Sequence, residues 1–216
     1  MTDETIVVAS ARNGLLAPAG ESETGLLTLL ERRRSIRRLR GGPFPLQTRQ
    51  RLTEAVRLTP AAYNLPSWHV ILLRERRNEF WDLVAAAVDN RLDGDRRERY
   101  LDRIAGFRDG VAVAIFFEDT TVGAQIAQAW QISDAQAGAF VQQGLGMAQL
   151  ALWLALTGEG LVTSLQHWDW LIEDRLAAFL GVPAHVRLAA VMPIGYADEA
   201  PRIVERHSAS YSEERW

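Results

Sequence analysis

The segment AQAGAFVQQGLGMAQLALWLAL (135–156) constrains the fold of this chain more than any other stretch of its sequence. It is long, mostly apolar and free of proline, and these properties predict one long helix. Gln149 interrupts its most apolar part, which is shorter than the roughly 20 residues that a membrane span needs, so we expect a buried helix and no membrane segment. Small residues such as Gly138, Gly144 and Gly146 would let another helix approach closely.

The run VAVAIFF (111–117) is nearly continuous in β-branched and aromatic residues, which is typical of a central strand covered on both faces. Turn signals separate it from the other predicted elements. Two further strands are predicted at 67–73 and 186–196, and further helices at 22–34, 46–58, 78–90 and 171–181. Ser22 is a candidate N-cap for the first helix, and Gly181 follows the last helix at the C′ position.

Helices and strands therefore alternate, which indicates a mixed α and β class. The simplest organisation is one domain over residues 1–216. Within it we expect a loosely ordered segment at 1–20, a charged surface segment at 93–110 and an extended tail at 201–216.

Cysteine and lysine are both absent, and all 24 basic residues are arginine. Thiolate nucleophiles, disulfides and a Schiff-base or Walker-type lysine are excluded, so any bound anion must be held by arginine or by backbone amides. Four scattered histidines without an HxxxH pair predict no metal site. The acidic start of the chain is unlike a secretory signal, and we expect a soluble, cytoplasmic protein.

Six of the ten residues in ERRRSIRRLR (31–40) are arginine, although the chain has a net charge of −3. Such a run is often only a solvated face, and cations also stabilise a helix C-terminus. Nucleic-acid binding would call for a basic face or domain, and the negative total argues against it. If the chain is extended here, Arg33, Ser35 and Arg37 point the same way and could hold one compact anion such as a phosphate.

Two later stretches carry candidate polar groups. TPAAYNLPS (59–67) reads as a loop in which Asn64 either caps a turn or, if buried, reads the edge of a heterocycle. GEGLVTSLQHWDW (158–170) places Gln166 and His167 at the end of a predicted strand, where a lone histidine is more often structural than catalytic.

Taken together, R-R-S-I-R (33–37), P-A-A-Y-N (60–64), IFFEDTTV (115–122) and TSLQHWDWLI (163–172) resemble, in order and spacing, motifs of the flavin-dependent nitroreductase family. More narrowly, they resemble its branch named for the fatty-acid repression mutant protein. The resemblance covers about residues 25 to 206. It implies an α+β fold with a mixed, mainly antiparallel sheet flanked by helices, and a homodimer in which long central helices and two FMN molecules lie at the interface.

The resemblance also implies an enzyme with a two-step reaction. NADH or NADPH reduces FMN at its N5 atom, and FMN then reduces a small-molecule acceptor such as a nitroaromatic or a quinone. Because the cofactor carries the chemistry, no catalytic side chain is assigned. His167 is a candidate proton donor to the reduced product.

The same resemblance implies the cofactor-binding residues. Arg33 and Ser35, with Arg34 adjacent, would hold the FMN phosphate, Arg37 would face the pyrimidine edge, and Arg206 would return to the phosphate from the tail. The partner subunit would contribute Pro60, Ala61, Ala62, Tyr63 and Asn64. Leu165, Gln166 and His167 would lie along the ring and its N5 side.

Some positions depart from the family pattern. Ala61 and Ala62 replace frequent serines, Leu65-Pro66 replaces a polar pair, and Trp168 and Asp169 replace a tyrosine and an asparagine. The first two changes remove polar contacts, and Trp168 and Asp169 change the pocket above the flavin, so the resemblance does not fix the substrate and FMN affinity could be slightly changed. They also leave open an alternative, in which the chain is a non-catalytic flavin-binding sensor or storage protein with the same fold.

Overall fold

The computed structural model describes residues 25–202, and its helices and strands alternate as the sequence predicts. The helices are α1 (Leu26–Arg32), α2 (Leu46–Arg57), α3 (Arg77–Arg91), α4 (Gly94–Arg108), α5 (Thr120–Trp130), α6 (Asp134–Gly158) and α7 (Asp169–Leu180). The strands are β1 (Leu39–Arg40), β2 (Trp68–Leu73), β3 (Ala112–Asp119), β4 (Val162–Thr163) and β5 (Val186–Ala197). The predictions for Ser22, for segment 1–20 and for most of the tail at 201–216 concern residues outside the described range.

The strands form one antiparallel sheet in the order β1-β5-β3-β2, and β4 pairs with β5. Ile115 of β3 lies opposite Ile71 on one side and Val191 on the other, so β3 is the central strand that the apolar run predicts. The parallel component of the expected mixed sheet is limited, within residues 25–202, to an isolated bridge between Ser35 and Thr163.

Residues of β3 alternate between two hydrophobic cores because successive side chains of a strand point to opposite faces. Val113, Ile115 and Phe117 pack into one core, together with buried residues of α3, α4 and α7. Ala112, Ala114 and Phe116 pack into the other, together with α2, α5 and α6. The sheet is therefore covered on both faces, as an uninterrupted apolar strand requires.

Helix α6 begins with a capping box, in which the Ser133 hydroxyl accepts from the Gln136 N–H and the Gln136 side chain accepts from the Ser133 N–H. It has the length and composition of a membrane span, which helices in soluble cores also have. The prediction that it is buried is wrong for part of its surface, because Met147 and Leu150 are 41% and 42% exposed. These apolar side chains lie on a face that no other described element covers.

Two helices were not predicted. Asp119 caps the N-terminus of α5, since its carboxylate accepts from the Thr121 N–H at 2.9 Å. The small and polar residues of α5 gave no clear apolar period. The charged segment at 93–110 is largely helix α4, whose buried Ile104, Gly106 and Phe107 form a narrow apolar stripe among the charges. By contrast, Gly181 ends α7 in a left-handed conformation, with φ of 67°, and confirms the predicted C-terminus.

Candidate functional site

The arginine-rich segment leaves α1 and becomes extended, as one of the sequence hypotheses requires. The Arg33 N–H still donates to the Leu29 carbonyl, and the Ile36 N–H then donates to the Thr163 carbonyl at 3.2 Å. Ile36 is buried in the core, whereas Ser35 and Arg37 on either side of it are exposed. Burial of this one apolar residue between two polar ones therefore fixes which way the polar side chains face.

These polar side chains border a cleft of about 590 Å³, a volume within the usual range for cofactor sites. The cleft brings together residues of the α1–β1 segment, of α4 and of the segment after β5. Its lining residues are Arg33, Arg34, Ser35, Arg37, Arg38, Arg99, Asp102, Arg103, Glu199 and Arg202. Within residues 25–202, the lining therefore holds seven guanidinium groups and two carboxylates.

Both carboxylates already have partners. Asp102 lies 2.6 Å from the Arg38 guanidinium, and the hydrogen bond between them raises the pKa of Arg38. Glu199 accepts from the main-chain N–H groups of Arg37 and Arg38, at 2.5 and 3.1 Å. Its carboxylate therefore holds the backbone of the arginine segment in place through main-chain groups.

Arg33 is oriented by an aromatic ring. Its guanidinium lies 4.5 Å from the centre of the Trp153 ring, a cation–π contact with α6. Stacking of the guanidinium on this ring restricts its motion, which favours binding of an anion at a fixed position.

The predicted residues after β4 lie next to the cleft without lining it. Gln166 is buried, its main chain pairs with Val191 in both directions, and its amide donates to the Ser164 hydroxyl at 2.7 Å. The Gln166 side-chain oxygen also lies 3.5 Å from the Arg103 guanidinium. Leu165 is half-buried and His167 is exposed.

The loop that contains Pro60, Ala61, Ala62, Tyr63 and Asn64 does not border the cleft of its own chain. Tyr63 and Asn64 have φ of 54° and 58°, the left-handed region that an aromatic residue rarely adopts. Asn64 is exposed, so within one chain its amide is not the buried reader of a heterocycle that we considered.

Several cleft residues were not part of the predicted site: Arg38, Arg99, Asp102, Arg103, Glu199 and Arg202. The one signal that could have indicated them is the spacing of Arg99 and Arg103, which share a helix face if 93–110 is helical. Arg206, predicted to reach the phosphate, lies outside the described residues. Within residues 25–202, no group of three or more His, Asp or Glu side chains could hold a metal ion.

The donor set of the cleft fits FMN. A phosphate monoester is close to a dianion at neutral pH, and guanidinium groups bind it through paired hydrogen bonds. The cleft offers Arg33, Arg34, Ser35 and Arg37 within one short segment.

A family model described as the nitroreductase family matches residues 30–196. Among curated proteins, a putative nitroreductase, HBN1, of Saccharomyces cerevisiae is 30% identical over 56% of this chain, and the match spans only 60% of the yeast protein. An NADH dehydrogenase of Thermus thermophilus is 28% identical over 78% of this chain and 84% of its own length.

Solved structures share the fold at low sequence identity. The nitroreductase CinD of Lactococcus lactis, in complex with nicotinic acid, superposes with a TM-score of 0.77 at 22% identity, over 85% of this chain and 95% of its own. CinD has also been solved in complex with 4-nitrophenol. A nitroreductase with bound FMN from Desulfitobacterium hafniense has a TM-score of 0.66 at 18% identity, over 87% of this chain and 97% of its own.

Proposed function

The chain belongs to the nitroreductase family of FMN- and NAD(P)H-dependent oxidoreductases, and we propose that it binds FMN in the arginine-lined cleft and passes electrons from NADH or NADPH to a small-molecule acceptor. The observation that carries the proposal is that Arg33, Arg34, Ser35 and Arg37, which the sequence motif assigns to FMN, all line one cleft. We also propose that the chain belongs to the branch named for the fatty-acid repression mutant protein.

Each residue of the segment would have a separate role. Arg33, fixed by Trp153, and the Ser35 hydroxyl would hold the phosphate, with Arg34 and Arg206 nearby. Arg37 would face the pyrimidine edge, where a fixed cation stabilises the negative charge that reduction produces. The Glu199 carboxylate positions Arg37 by holding its main-chain N–H.

The acceptor we propose is a nitroaromatic or a quinone, reduced in a two-step, ping-pong reaction. FMN, when bound, supplies the hydride chemistry at its N5 atom, so the chain has to position groups and exclude water. The complex of the Lactococcus protein with 4-nitrophenol supports a nitroaromatic acceptor for this chain. His167, exposed beside the buried Gln166, is the candidate to protonate the reduced product.

We also propose a soluble, cytoplasmic homodimer with no nucleic-acid or membrane partner. The dimer is supported by four exposed apolar side chains, since a second copy of the chain would remove them from water: Tyr63, Trp130, Met147 and Leu150. A dimer would also let the segment Pro60–Asn64, which does not reach the cleft of its own chain, complete the site of its partner.

The visible absorption spectrum of the purified, untagged protein is the first test. Oxidised-flavin bands, and FMN released by heating, are expected. A colourless protein that also fails to bind added FMN would contradict the proposal. Bound flavin without turnover of NADH or NADPH would favour the alternative, a non-catalytic flavin-binding sensor or storage protein.

A matched pair of variants tests the role of Arg37. We expect Arg37→Ala to lower FMN affinity or to make the flavin harder to reduce. Arg40→Ala is the control, because Arg40 lies in the same segment but packs over Tyr196, outside the cleft. If Arg37→Ala bound FMN with wild-type affinity and its flavin kept the wild-type reduction potential, Arg37 would not belong to the FMN site.

A further inference from the structure

Arg99 and Arg103 lie one turn apart on α4 and line the same cleft as the FMN motif. Residues four apart on a helix are neighbours on one face, so the two guanidiniums can reach a common ligand. Neither belongs to the segment that the family motif assigns to FMN.

The charge of the cleft exceeds what FMN needs. Among the lining residues that the structure describes, seven guanidiniums and two carboxylates leave a surplus of five positive charges, and both carboxylates are engaged by Arg38 or by main-chain N–H groups. The FMN phosphate carries close to two negative charges at neutral pH. The cleft would therefore keep a net positive charge after FMN binds, and this charge would attract a second anion.

Arg103 lies in surroundings that disfavour its charge. It is half-buried, its contact with the Gln166 oxygen is long at 3.5 Å, and within residues 25–202 neither it nor Arg99 forms an ion pair with a carboxylate. Burial, and then the like charge of Arg37, lower the pKa of the Arg103 guanidinium. Repulsion between the two guanidiniums and burial of one of them are unfavourable, and a bound anion would offset both effects.

We propose that Arg99 and Arg103 bind the 2′-phosphate of NADPH and make NADPH the preferred reductant. This inference rests on the proposed function, which requires NADH or NADPH in the same cleft. The two nucleotides differ only in that phosphate group, a dianion that suits two forked guanidiniums. The arginine-rich sequence cannot identify which arginines read it. Four cleft arginines lie outside the FMN set: Arg38 pairs with Asp102, Arg202 follows β5, and Arg99 and Arg103 share one face of α4.

The test compares Arg99→Gln, Arg103→Gln and the double variant with Arg96→Gln. Arg96 lies on the same helix but packs over Trp170, outside the cleft, and serves as the control. The flavin-loaded enzymes are assayed with NADPH and with NADH, using an uncharged quinone as acceptor. We expect the wild type to favour NADPH. The ratio of kcat/KM for NADPH to that for NADH should fall by about tenfold to a hundredfold in the double variant, through KM, and stay unchanged in Arg96→Gln.

A binding measurement provides a readout that does not depend on turnover. Calorimetry on the flavin-loaded protein compares adenosine 2′,5′-bisphosphate with adenosine 5′-monophosphate. The bisphosphate should bind more tightly to the wild type, and the double variant should lose that difference. Parallel titration with FMN measures the affinity of each variant for the cofactor.

Three results would overturn the inference. They are an equal preference for the two nucleotides in the wild type, an unchanged ratio in the double variant, or a loss of FMN affinity in the double variant that accounts for the whole effect. The last would assign Arg99 and Arg103 to the cofactor instead. A wild type that oxidises neither nucleotide would contradict the proposed function, while the bisphosphate titration would still decide the role of these arginines.

Discussion

The aromatic rings of Tyr63 and Trp130 stack with their centroids 4.2 Å apart and their planes 14° apart. Yet the two residues are 42% and 53% exposed. Tyr63 also meets Phe140 of α6 edge-on at 6.1 Å, so the pair joins the 3₁₀ turn Ala62–Asn64 to both α5 and α6. A left-handed backbone at Tyr63 costs of the order of 1–3 kcal/mol, which indicates that the surroundings hold the ring in this position.

In the proposed dimer, the uncovered face of α6 would lie in the interface. Negative charges on that face should prevent dimerisation. We expect the double variant Met147→Glu, Leu150→Glu to be a folded monomer with weaker FMN binding, because two carboxylates in an apolar interface would have to be desolvated. Trp170→Glu is the control and should remain dimeric, because Trp170 is an exposed residue of α7 that contacts Tyr100 of α4 and lies away from this face of α6. Sedimentation velocity gives the mass of each. A wild type that is already monomeric, or a double variant that is still a dimer, would contradict this assignment.

Gly106→Ala should destabilise the protein and disturb the site. A Cβ at position 106 would lie 2.3 Å from the Arg37 carbonyl oxygen, so α4 and the arginine segment would have to move apart. We expect a loss of about 1–3 kcal/mol in the free energy of unfolding, with weaker FMN binding. Gly41→Ala is the control, because its Cβ would meet the Asp109 carbonyl at an ordinary 3.5 Å. Urea unfolding of both variants is the measurement. If Gly106→Ala were as stable as Gly41→Ala, the close contact between position 106 and the Arg37 carbonyl would have to relax without cost.

Glu199→Ala should weaken FMN binding by about tenfold, since it removes the acceptor for two main-chain N–H groups beside the guanidiniums. Glu199→Gln should restore binding, because an amide oxygen also accepts hydrogen bonds. Fluorescence titration with FMN measures both. If the carboxylate acted mainly by its charge, both variants would instead bind FMN more tightly than the wild type.

Glu159 should make the stability of the protein depend on pH. Its carboxylate pairs with Arg51 and accepts from the Thr48 hydroxyl at 2.8 Å, and only 17% of its side chain is exposed. The hydrogen bond from Arg51, assisted by Thr48, lowers the pKa of Glu159. The resulting stabilisation is complete above the ordinary pKa of a glutamate, about 4.3, and is lost as the pH falls through the lower pKa of the folded state.

Glu159→Gln should accordingly reduce the free energy of unfolding by about 1 kcal/mol at pH 7, and by less and less below pH 4. Urea unfolding between pH 3 and pH 7 tests this. Glu54→Gln removes an exposed partner of Arg57 and should have a smaller effect at every pH. A Glu159→Gln deficit that did not shrink in acid would mean that the charge is not the source of the stability.

Much of the secondary structure could be read from the sequence. The apolar run of β3, the long apolar pattern of α6 and Gly181 after α7 are local signals that act through residue type and spacing. Helices α4 and α5 were not predicted, because the apolar stripe of α4 is narrow among charged residues and α5 has few strongly apolar residues. Tertiary packing, more than a periodic sequence pattern, stabilises these two helices.

The sequence by itself determined that any anion must be held by arginine or backbone amides, and that Arg33, Ser35 and Arg37 could share one side of an extended segment. Tertiary structure alone decided that Ile36 is buried in the core with its N–H bonded to Thr163, that α4 brings Arg99 and Arg103 to the same cleft, and that Glu199 holds the backbone of Arg37. The reason is physical. Alternation along a strand is a local property, whereas bringing residue 37 together with residues 103 and 199 depends on how the sheet and helices pack, which residue spacing does not encode.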